Sequence, residues 1–263
     1  MLFRSIDASK ALWLGVMNPL ILMNFVASSH NDSLMIGLIA AGMCLVMEGR
    51  FIIGVMAVTA GAMVKPIGLL ALPFAGLVWA GVNSNLRMRC AAWVKTGAIA
   101  VGCFLISSAV VGVNLGWIHA LTTPGTVRTW LSPSTALGMA SGNLLRWFGL
   151  GDHLDLTVGV SRAVFELVAI VIIARLIVKP EGRTALRGLV LTFVAVVVLG
   201  PVIQPWYLLW ALPLAAAAGL LPRELRVVLL LIAGFTLYGL CETSATADSL
   251  IELSDGIAML AAA

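Results

Sequence analysis

Hydrophobic residues occur along this chain in nine runs of 14 to 20 residues, separated by polar stretches that are short in all places but one. An α-helix needs about 20 mostly apolar residues to cross the hydrocarbon core of a bilayer. The shorter runs must therefore be extended by their flanks or end in a cavity lined by protein. The pattern predicts one all-α domain over residues 1–263, a polytopic helical membrane protein with about nine transmembrane helices. The runs are Leu12–Val26, Leu34–Met47, Phe51–Val64, Ile67–Val82, Thr96–Val113, Val158–Ile177, Leu186–Ile203, Trp206–Leu221 and Val227–Leu240.

The composition excludes a water-soluble globular domain. Hydrophobic residues make up 61% of the chain and charged residues 11%, with a mean hydropathy of +1.07. Soluble domains carry about 25% charged residues. The net charge of +4 does not indicate a nucleic-acid partner, because the basic residues lie between the apolar runs, as they do in proteins oriented in a lipid bilayer.

The positions of lysine and arginine predict the orientation. If the N-terminus is cytoplasmic, twelve of the sixteen basic residues fall on the cytoplasmic side and four outside. The inner set is Arg4, Lys10, Arg50, Arg87, Arg89, Lys95, Arg175, Lys179, Arg183, Arg187, Arg223 and Arg226, and the outer set is Lys65, Arg128, Arg146 and Arg162. For Arg50 and Arg87 to lie on the same side of the membrane, residues 51–82 must form a hairpin that turns at Lys65-Pro66. The expected location is the cell membrane, with the polar clusters on the extracytoplasmic face.

The longest connection is the outer segment Asn114–Thr157. Loops of this length are usually functional or disordered, and Trp117, Trp130, Trp147 and Phe148 favour a segment lying on the membrane surface. The four cysteines and three histidines show no metal-ligand spacing, and there is no phosphate-binding or dinucleotide-binding glycine motif. We therefore predict neither a metal nor a cofactor.

The first unusual polar cluster on the outer side contains His30, Asn31 and Asp32. One interpretation is a helix cap, in which Asn31 or Asp32 satisfies the first N–H groups of the next span. A cap needs only one such side chain, however, and a carboxylate beside an imidazole suits acid–base chemistry. All three residues are candidate catalytic residues.

Lys65 and the segment Gly200–Tyr207 supply the second and third clusters. An ionisable group at membrane depth favours a functional site, and an ammonium suits a phosphate. The alternative is a lysine that extends to the headgroups. If Lys65 is functional, a change to Met is expected to weaken binding of the phosphate and to leave stability nearly intact. Two prolines break the helix near Gln204, Trp206 and Tyr207. These three residues could bind a sugar or an isoprenoid, or the aromatic pair could form part of an interfacial belt.

Several of these pieces together resemble a known family, the actinobacterial polyprenol-phosphomannose-dependent α-1,6-mannosyltransferases. The matching segments follow the family's order over most of residues 11–215. They are Asn18-Pro19-Leu20, His30-Asn31-Asp32-Ser33-Leu34-Met35, Lys65-Pro66 with Leu72-Pro73, Thr126-Val127-Arg128-Thr129-Trp130, and Gly200-Pro201-Val202-Ile203-Gln204-Pro205-Trp206-Tyr207-Leu208-Leu209-Trp210. The resemblance implies a C-type glycosyltransferase fold that uses a lipid-phosphate sugar donor on the extracytoplasmic side.

The sequence also departs from that family. Its members have about a dozen spans and an acidic catalytic residue in the first outer loop, whereas Asp7 here falls on the inner side. The chain is therefore expected to correspond to the C-terminal portion of such an enzyme, and a separate N-terminal half is a further candidate partner.

The expected function is transfer of mannose from polyprenyl-phosphomannose to an α-1,6-mannan acceptor, in lipomannan or lipoarabinomannan synthesis. Asp32 or His30 would orient or deprotonate the acceptor, and Lys65 would balance the charge of the leaving phosphate. Arg128, Gln204, Trp206 and Tyr207 complete the expected substrate-binding set, although a solvated loop would also hold Arg128. The alternatives are a transporter or flippase of a lipid-linked sugar, or a non-catalytic membrane subunit.

Overall fold

The computed structural model describes residues 7–112, 128–180 and 184–261, with side chains as far as residue 241. Within these residues the chain forms ten helices and no strand. They are α1 Ala8–Ala27, α2 Asp32–Met47, α3 Phe51–Val64, α4 Pro66–Ala80, α5 Leu86–Val111, α6 Pro133–Trp147, α7 Leu154–Val178, α8 Ala185–Leu199, α9 Pro205–Ala218 and α10 Pro222–Ala261. Each predicted apolar run overlaps one of these helices, which confirms the all-α class.

Four helical segments are long and apolar enough to cross a membrane: α1, α5, α7 and the Pro222–Cys241 part of α10. Helices α2, α3, α4, α8 and α9 are apolar but shorter. The protein is therefore a helical membrane protein, whereas the nine crossings and their orientation stay predictions.

Helix α1 is interrupted at Asn18, whose backbone is extended before Pro19. The side chain of Asn18 is fully buried and satisfies both sides of the break. Its amide Nδ2 donates to the carbonyl of Leu14 at 2.8 Å, and its Oδ1 accepts from the N–H of Ile21 at 3.1 Å. Because freed backbone groups have no water partner inside a membrane, this side chain makes the bend tolerable there.

Helices α2 and α3 pack closely through glycine. A Cβ atom on Gly42 would lie 2.6 Å from the carbonyl oxygen of Gly54, and one on Gly54 would lie 2.7 Å from that of Gly42. Small residues allow helix backbones to approach in this way. This contact joins the second half of α2 to the first turn of α3. A Cβ atom on Gly61 would likewise lie 2.9 Å from the carbonyl oxygen of Met35, which brings the end of α3 against the start of α2.

The predicted turn at Lys65-Pro66 is present. Lys65 is extended between α3 and α4. The ring of Phe51, the first residue of α3, stacks on that of Trp79 near the end of α4, with centroids 5.1 Å apart. Helices α3 and α4 therefore run antiparallel, as the charge pattern requires.

The buried core lies between α2, α3, α4, α8 and α9. It includes the fully buried residues Met35, Ile39, Val55, Val58, Phe74, Leu189 and Phe193. Helices α5 and α7 and the first half of α10 bury few of their residues and present apolar side chains outward. This arrangement suits helices that face lipid tails.

Part of the expected outer loop over Asn114–Thr157 is helical, which corrects the expectation of a single loop. Helix α6 occupies Pro133–Trp147, and α7 begins at Leu154 rather than at Val158. A Cβ atom on Gly138 would lie 2.5 Å from the Cα atom of Val158, so α6 and α7 form a tight hairpin. Residue Trp117 lies outside the described residues, and Trp130, Trp147 and Phe148 are exposed.

Candidate functional site

A buried ion pair joins the start of α2 to the end of α3. The Nζ of Lys65 donates to Oδ1 of Asp32 at 2.7 Å. The side chain of Asp32 is only 1% exposed, whereas that of Lys65 is 30% exposed. Asp32 is the first residue of α2, where the helix dipole favours a negative charge. The carboxylate is thus buried with its charge balanced, and the ammonium keeps an open side.

Trp210 on α9 also binds this carboxylate. Its indole Nε1 donates to the same Oδ1 of Asp32, across a separation of 178 residues. Among the described residues, no hydrogen bond reaches the second oxygen, Oδ2. The ring of Tyr207 stacks on that of Trp210 with centroids 4.2 Å apart. One carboxylate oxygen is therefore held by two donors, and the other is left for a further partner.

The lysine ammonium lies against both of these rings. The distance from Nζ of Lys65 is 5.3 Å to the centroid of Tyr207 and 5.2 Å to that of Trp210. A cation at such distances from an aromatic face is attracted to it. The position of the ammonium is therefore set by the carboxylate and by the aromatic pair together.

His30 and Trp206 extend the same cluster. Their rings stack with centroids 4.1 Å apart and an interplanar angle of 22°. The Trp206 and Tyr207 rings meet edge to face at 6.0 Å. We define the Asp32 cluster as the six residues His30, Asp32, Lys65, Trp206, Tyr207 and Trp210. Five of these six residues are candidates from the sequence. They belong to three clusters that are far apart along the chain, and the fold brings these clusters together.

Trp210 is the member that the sequence interpretation did not select. It lies three residues after Tyr207, so the two share a face of α9. That spacing was the signal in the sequence that could have identified Trp210. It was not used because a tryptophan on an apolar helix is usually interpreted as a core residue.

The other candidates lie differently. Asn31 is exposed and precedes α2, but its side chain caps no N–H group of that helix. The capping interpretation is also not realised by Asp32, whose carboxylate binds Lys65 and Trp210. Gln204 is half-buried just before Trp206, and its backbone carbonyl accepts from the N–H of Tyr207 at 2.9 Å.

Arg128 lies outside the Asp32 cluster. It is exposed and forms an ion pair with Asp155 near the start of α7. Within the described part of the chain, no group of three or more His, Cys, Asp or Glu side chains is placed to hold a metal ion. The side chains of the Asp32 cluster itself offer a carboxylate, an ammonium, an imidazole and aromatic faces.

Two family models match this chain, and together their matched regions contain all six residues of the Asp32 cluster. Residues 3–81 match a family described as "Alpha-(1->6)-mannopyranosyltransferase, N-terminal domain", and residues 134–262 match "MptB C-terminal domain". The chain belongs to the α-(1→6)-mannopyranosyltransferase family. His30, Asp32 and Lys65 fall within the first matched region, and Trp206, Tyr207 and Trp210 fall within the second.

Individual relatives agree with this family. A probable α-(1→6)-mannopyranosyltransferase of Mycolicibacterium smegmatis is 32% identical over 80% of this chain and 43% of its own length. The α-(1→6)-mannopyranosyltransferase A of Mycobacterium tuberculosis is 34% identical over 86% of this chain and 44% of its own. The α-(1→6)-mannopyranosyltransferase B of Corynebacterium glutamicum is 30% identical over 85% of this chain and 41% of its own length.

The chain thus spans less than half the length of these curated relatives. No solved structure matches it significantly.

Proposed function

We propose that this chain takes part in the transfer of mannose from a polyprenyl-phosphate donor to an α-1,6-mannan acceptor at the extracytoplasmic face. The observation that carries the proposal is the Asp32 cluster. It combines a buried carboxylate, a partly exposed cation and a wall of aromatic rings. Membership of the α-(1→6)-mannopyranosyltransferase family supports the choice of mannose as the transferred sugar.

In the proposed reaction, the acceptor hydroxyl oxygen attacks the anomeric carbon of the donor mannose. The bond from that carbon to the phosphate oxygen breaks, and the lipid phosphate leaves with the electron pair. Asp32 accepts the acceptor's hydroxyl proton through Oδ2, the oxygen that the described residues leave without a hydrogen bond. The new glycosidic bond replaces the bond from the anomeric carbon to the phosphate, and the acceptor's O–H bond is replaced by an O–H bond on Asp32.

Lys65 stabilises charge on both sides of this reaction. Its ammonium has three N–H donors, and the contact with Asp32 uses one of them. The remaining donors, on a side chain that is 30% exposed, suit the charge that develops on the leaving phosphate. The same cation holds the carboxylate in place before the proton moves.

The aromatic residues supply the surface for the sugar. Trp206 is half-buried, stacks on His30 and meets the ring of Tyr207, which in turn lies 5.3 Å from Nζ of Lys65. In this proposal the apolar face of the mannose packs on the face of the Trp206 ring opposite His30, the His30 imidazole supports that ring from behind, and the Gln204 amide binds the sugar hydroxyls. Arg128 adds a second cation for the phosphate from the α6–α7 side.

The test is a transfer assay on the full chain reconstituted in liposomes. Labelled mannose is offered as polyprenyl-phosphomannose or as GDP-mannose, with an α-1,6-linked mannan oligosaccharide as the acceptor. We expect label in the oligosaccharide from the lipid donor alone, in a bond that an α-1,6-specific mannosidase removes. Transfer from GDP-mannose alone, or movement of the labelled lipid across the bilayer without transfer, would contradict the proposal.

A further inference from the structure

The extended segment Gly200–Gln204, between α8 and α9, carries two carbonyl groups that its own helices do not satisfy. Helix α8 ends at Leu199. In a continued helix the carbonyl of Pro201 would accept from residue 205, which is a proline without an N–H group. Buried backbone carbonyls need partners, so this break depends on donors from elsewhere in the chain.

Three hydroxyl groups at the start of α6 supply those donors. The Oγ atoms of Ser132 and Ser134 lie 2.7 Å and 2.9 Å from the carbonyl oxygen of Gly200. The Oγ1 of Thr135 lies 2.6 Å from the carbonyl oxygen of Pro201. All three residues are fully buried, and the contacts join parts of the chain that are 66 to 68 residues apart. We call these residues the hydroxyl clamp.

The protons of the clamp can be assigned in part. Each hydroxyl has one proton. The Oγ1 of Thr135 accepts from Nε of Arg162 at 2.9 Å, so its own proton is directed to Pro201. The two serine oxygens lie 3.0 Å apart and share the Gly200 carbonyl. Either serine can therefore keep that carbonyl satisfied when the other is absent, whereas no other described residue donates to the Pro201 carbonyl in place of Thr135.

The clamp is itself fixed in place by α7. The Oγ of Ser161 donates to the backbone carbonyl of Ser134 at 2.7 Å, and Arg162 holds Thr135. Gly200 directly follows α8, and its N–H donates to the carbonyl of Val196 at 2.9 Å. The segment is thus held by the α6–α7 hairpin where it leaves the end of α8, directly before Trp206 and Tyr207.

We propose that Ser132, Ser134 and Thr135 are positioning residues that hold Gly200–Gln204 and thereby set Trp206 and Tyr207 against the Asp32–Lys65 pair. The consequence for turnover rests on the proposed mannosyl transfer, while the consequence for the Trp206 ring does not. None of the three hydroxyls belongs to the Asp32 cluster.

The test compares two substitutions at one position. Thr135→Val keeps the shape of the side chain and removes the hydroxyl, and Thr135→Ser restores the hydroxyl. Ser141→Ala, in the same helix, is the control, because that hydroxyl is exposed and donates only to the carbonyl of Leu137 in its own helix. A double variant, Ser132→Ala with Ser134→Ala, tests the Gly200 contact independently of Thr135.

The first measurement is the fluorine NMR signal of Trp206 in protein labelled with 5-fluorotryptophan, with the signal identified by its loss in Trp206→Phe. We expect Thr135→Val and the double serine variant to shift or broaden this signal. Thr135→Ser, Ser141→Ala and each single serine variant should leave it in place. An unmoved signal in both Thr135→Val and the double variant would overturn the proposal, as would a Thr135→Ser spectrum like that of Thr135→Val.

The second measurement separates the clamp from the proposed function. In the transfer assay, we expect Thr135→Val to lower kcat roughly tenfold in protein that is recovered folded, because a small displacement of a binding surface is costly to turnover. Thr135→Ser should recover the rate. If the unmodified chain transfers no mannose, the proposed function fails and the fluorine signal still decides the clamp. A normal kcat in folded Thr135→Val would show that the clamp does not position the site.

Discussion

Replacing Lys65 by Met is the perturbation with the most specific structural consequence. Taken from the sequence alone, Lys65 looked dispensable for stability, since its stem and a methionine are similar in shape. The structure corrects this expectation. The Nζ of Lys65 is 2.7 Å from a carboxylate that is 1% exposed, so the substitution leaves Asp32 charged and buried without its main partner.

Removing one partner of a buried ion pair costs about 3–5 kcal/mol. The lower end of that range applies here, for two reasons. The lysine side chain is 30% exposed, and Asp32 retains the hydrogen bond from Trp210 and the favourable start of α2. We therefore expect Lys65→Met to lower the free energy of unfolding by about 3 kcal/mol.

A second variant separates the cost of the unpaired charge from the cost of the changed side-chain shape. Lys65→Met combined with Asp32→Asn removes both charges, so we expect it to recover most of the stability, to within about 1.5 kcal/mol of the unmodified protein. The assay is reversible unfolding in mixed detergent micelles, followed by helical circular dichroism. Lys10→Met is the control, because the Lys10–Asp7 pair is exposed on both sides and should contribute nothing measurable.

Equal stability of Lys65→Met and the unmodified protein would refute the reasoning. It would mean that Asp32 is not buried as an anion. A double variant as unstable as Lys65→Met would also refute it, because the cost would then come from the shape of the side chain rather than from an unpaired charge.

Three further predictions concern the neighbouring packing and the orientation. Trp210→Phe keeps an aromatic ring but removes the N–H donor to the buried carboxylate, so the free energy of unfolding should fall by about 2 kcal/mol in the same assay. Gly42→Val should lower the thermal midpoint markedly, because its Cβ would lie 2.6 Å from a backbone oxygen of α3, whereas Gly37→Val, where a Cβ meets nothing within 4 Å, should be tolerated. In a variant without its four cysteines, a cysteine at Ser29 should react with an impermeant thiol reagent on intact cells and one at Asn85 should not; the opposite labelling would reverse the orientation.

The helices could be predicted from the sequence because hydrophobic periodicity and length depend on local composition. The turn at Lys65-Pro66 was predictable for a different reason, since the alternation of basic residues between the two sides requires a reversal there. Helix α6 was missed because three of the five residues at positions 138–142 are glycine or serine, a composition that is typical of loops. Those glycines serve instead to bring α6 onto α7.

The candidate site was predictable as separate pieces but not as one arrangement. His30, Asp32, Lys65, Trp206 and Tyr207 each stood out as polar or aromatic residues at the ends of apolar runs. The hydrogen bond from Trp210 to Asp32 joins residues 178 positions apart, and no local pattern encodes it. The hydroxyl clamp was hidden for the same reason, because Ser132 before Pro133 reads as an ordinary helix start although its hydroxyl binds Gly200 rather than its own helix.

The central claim is that the carboxylate of Asp32 acts in mannosyl transfer, and one comparison tests it most directly. Transfer from polyprenyl-phosphomannose is measured in liposomes for the unmodified chain, for Asp32→Asn and for Glu48→Gln, an exposed carboxylate at the far end of the same helix, about 24 Å away at 1.5 Å per residue. We expect Asp32→Asn to remain folded and to lose at least roughly a hundredfold in turnover, while Glu48→Gln transfers mannose normally. Folded Asp32→Asn protein with the turnover of the unmodified chain would contradict the claim.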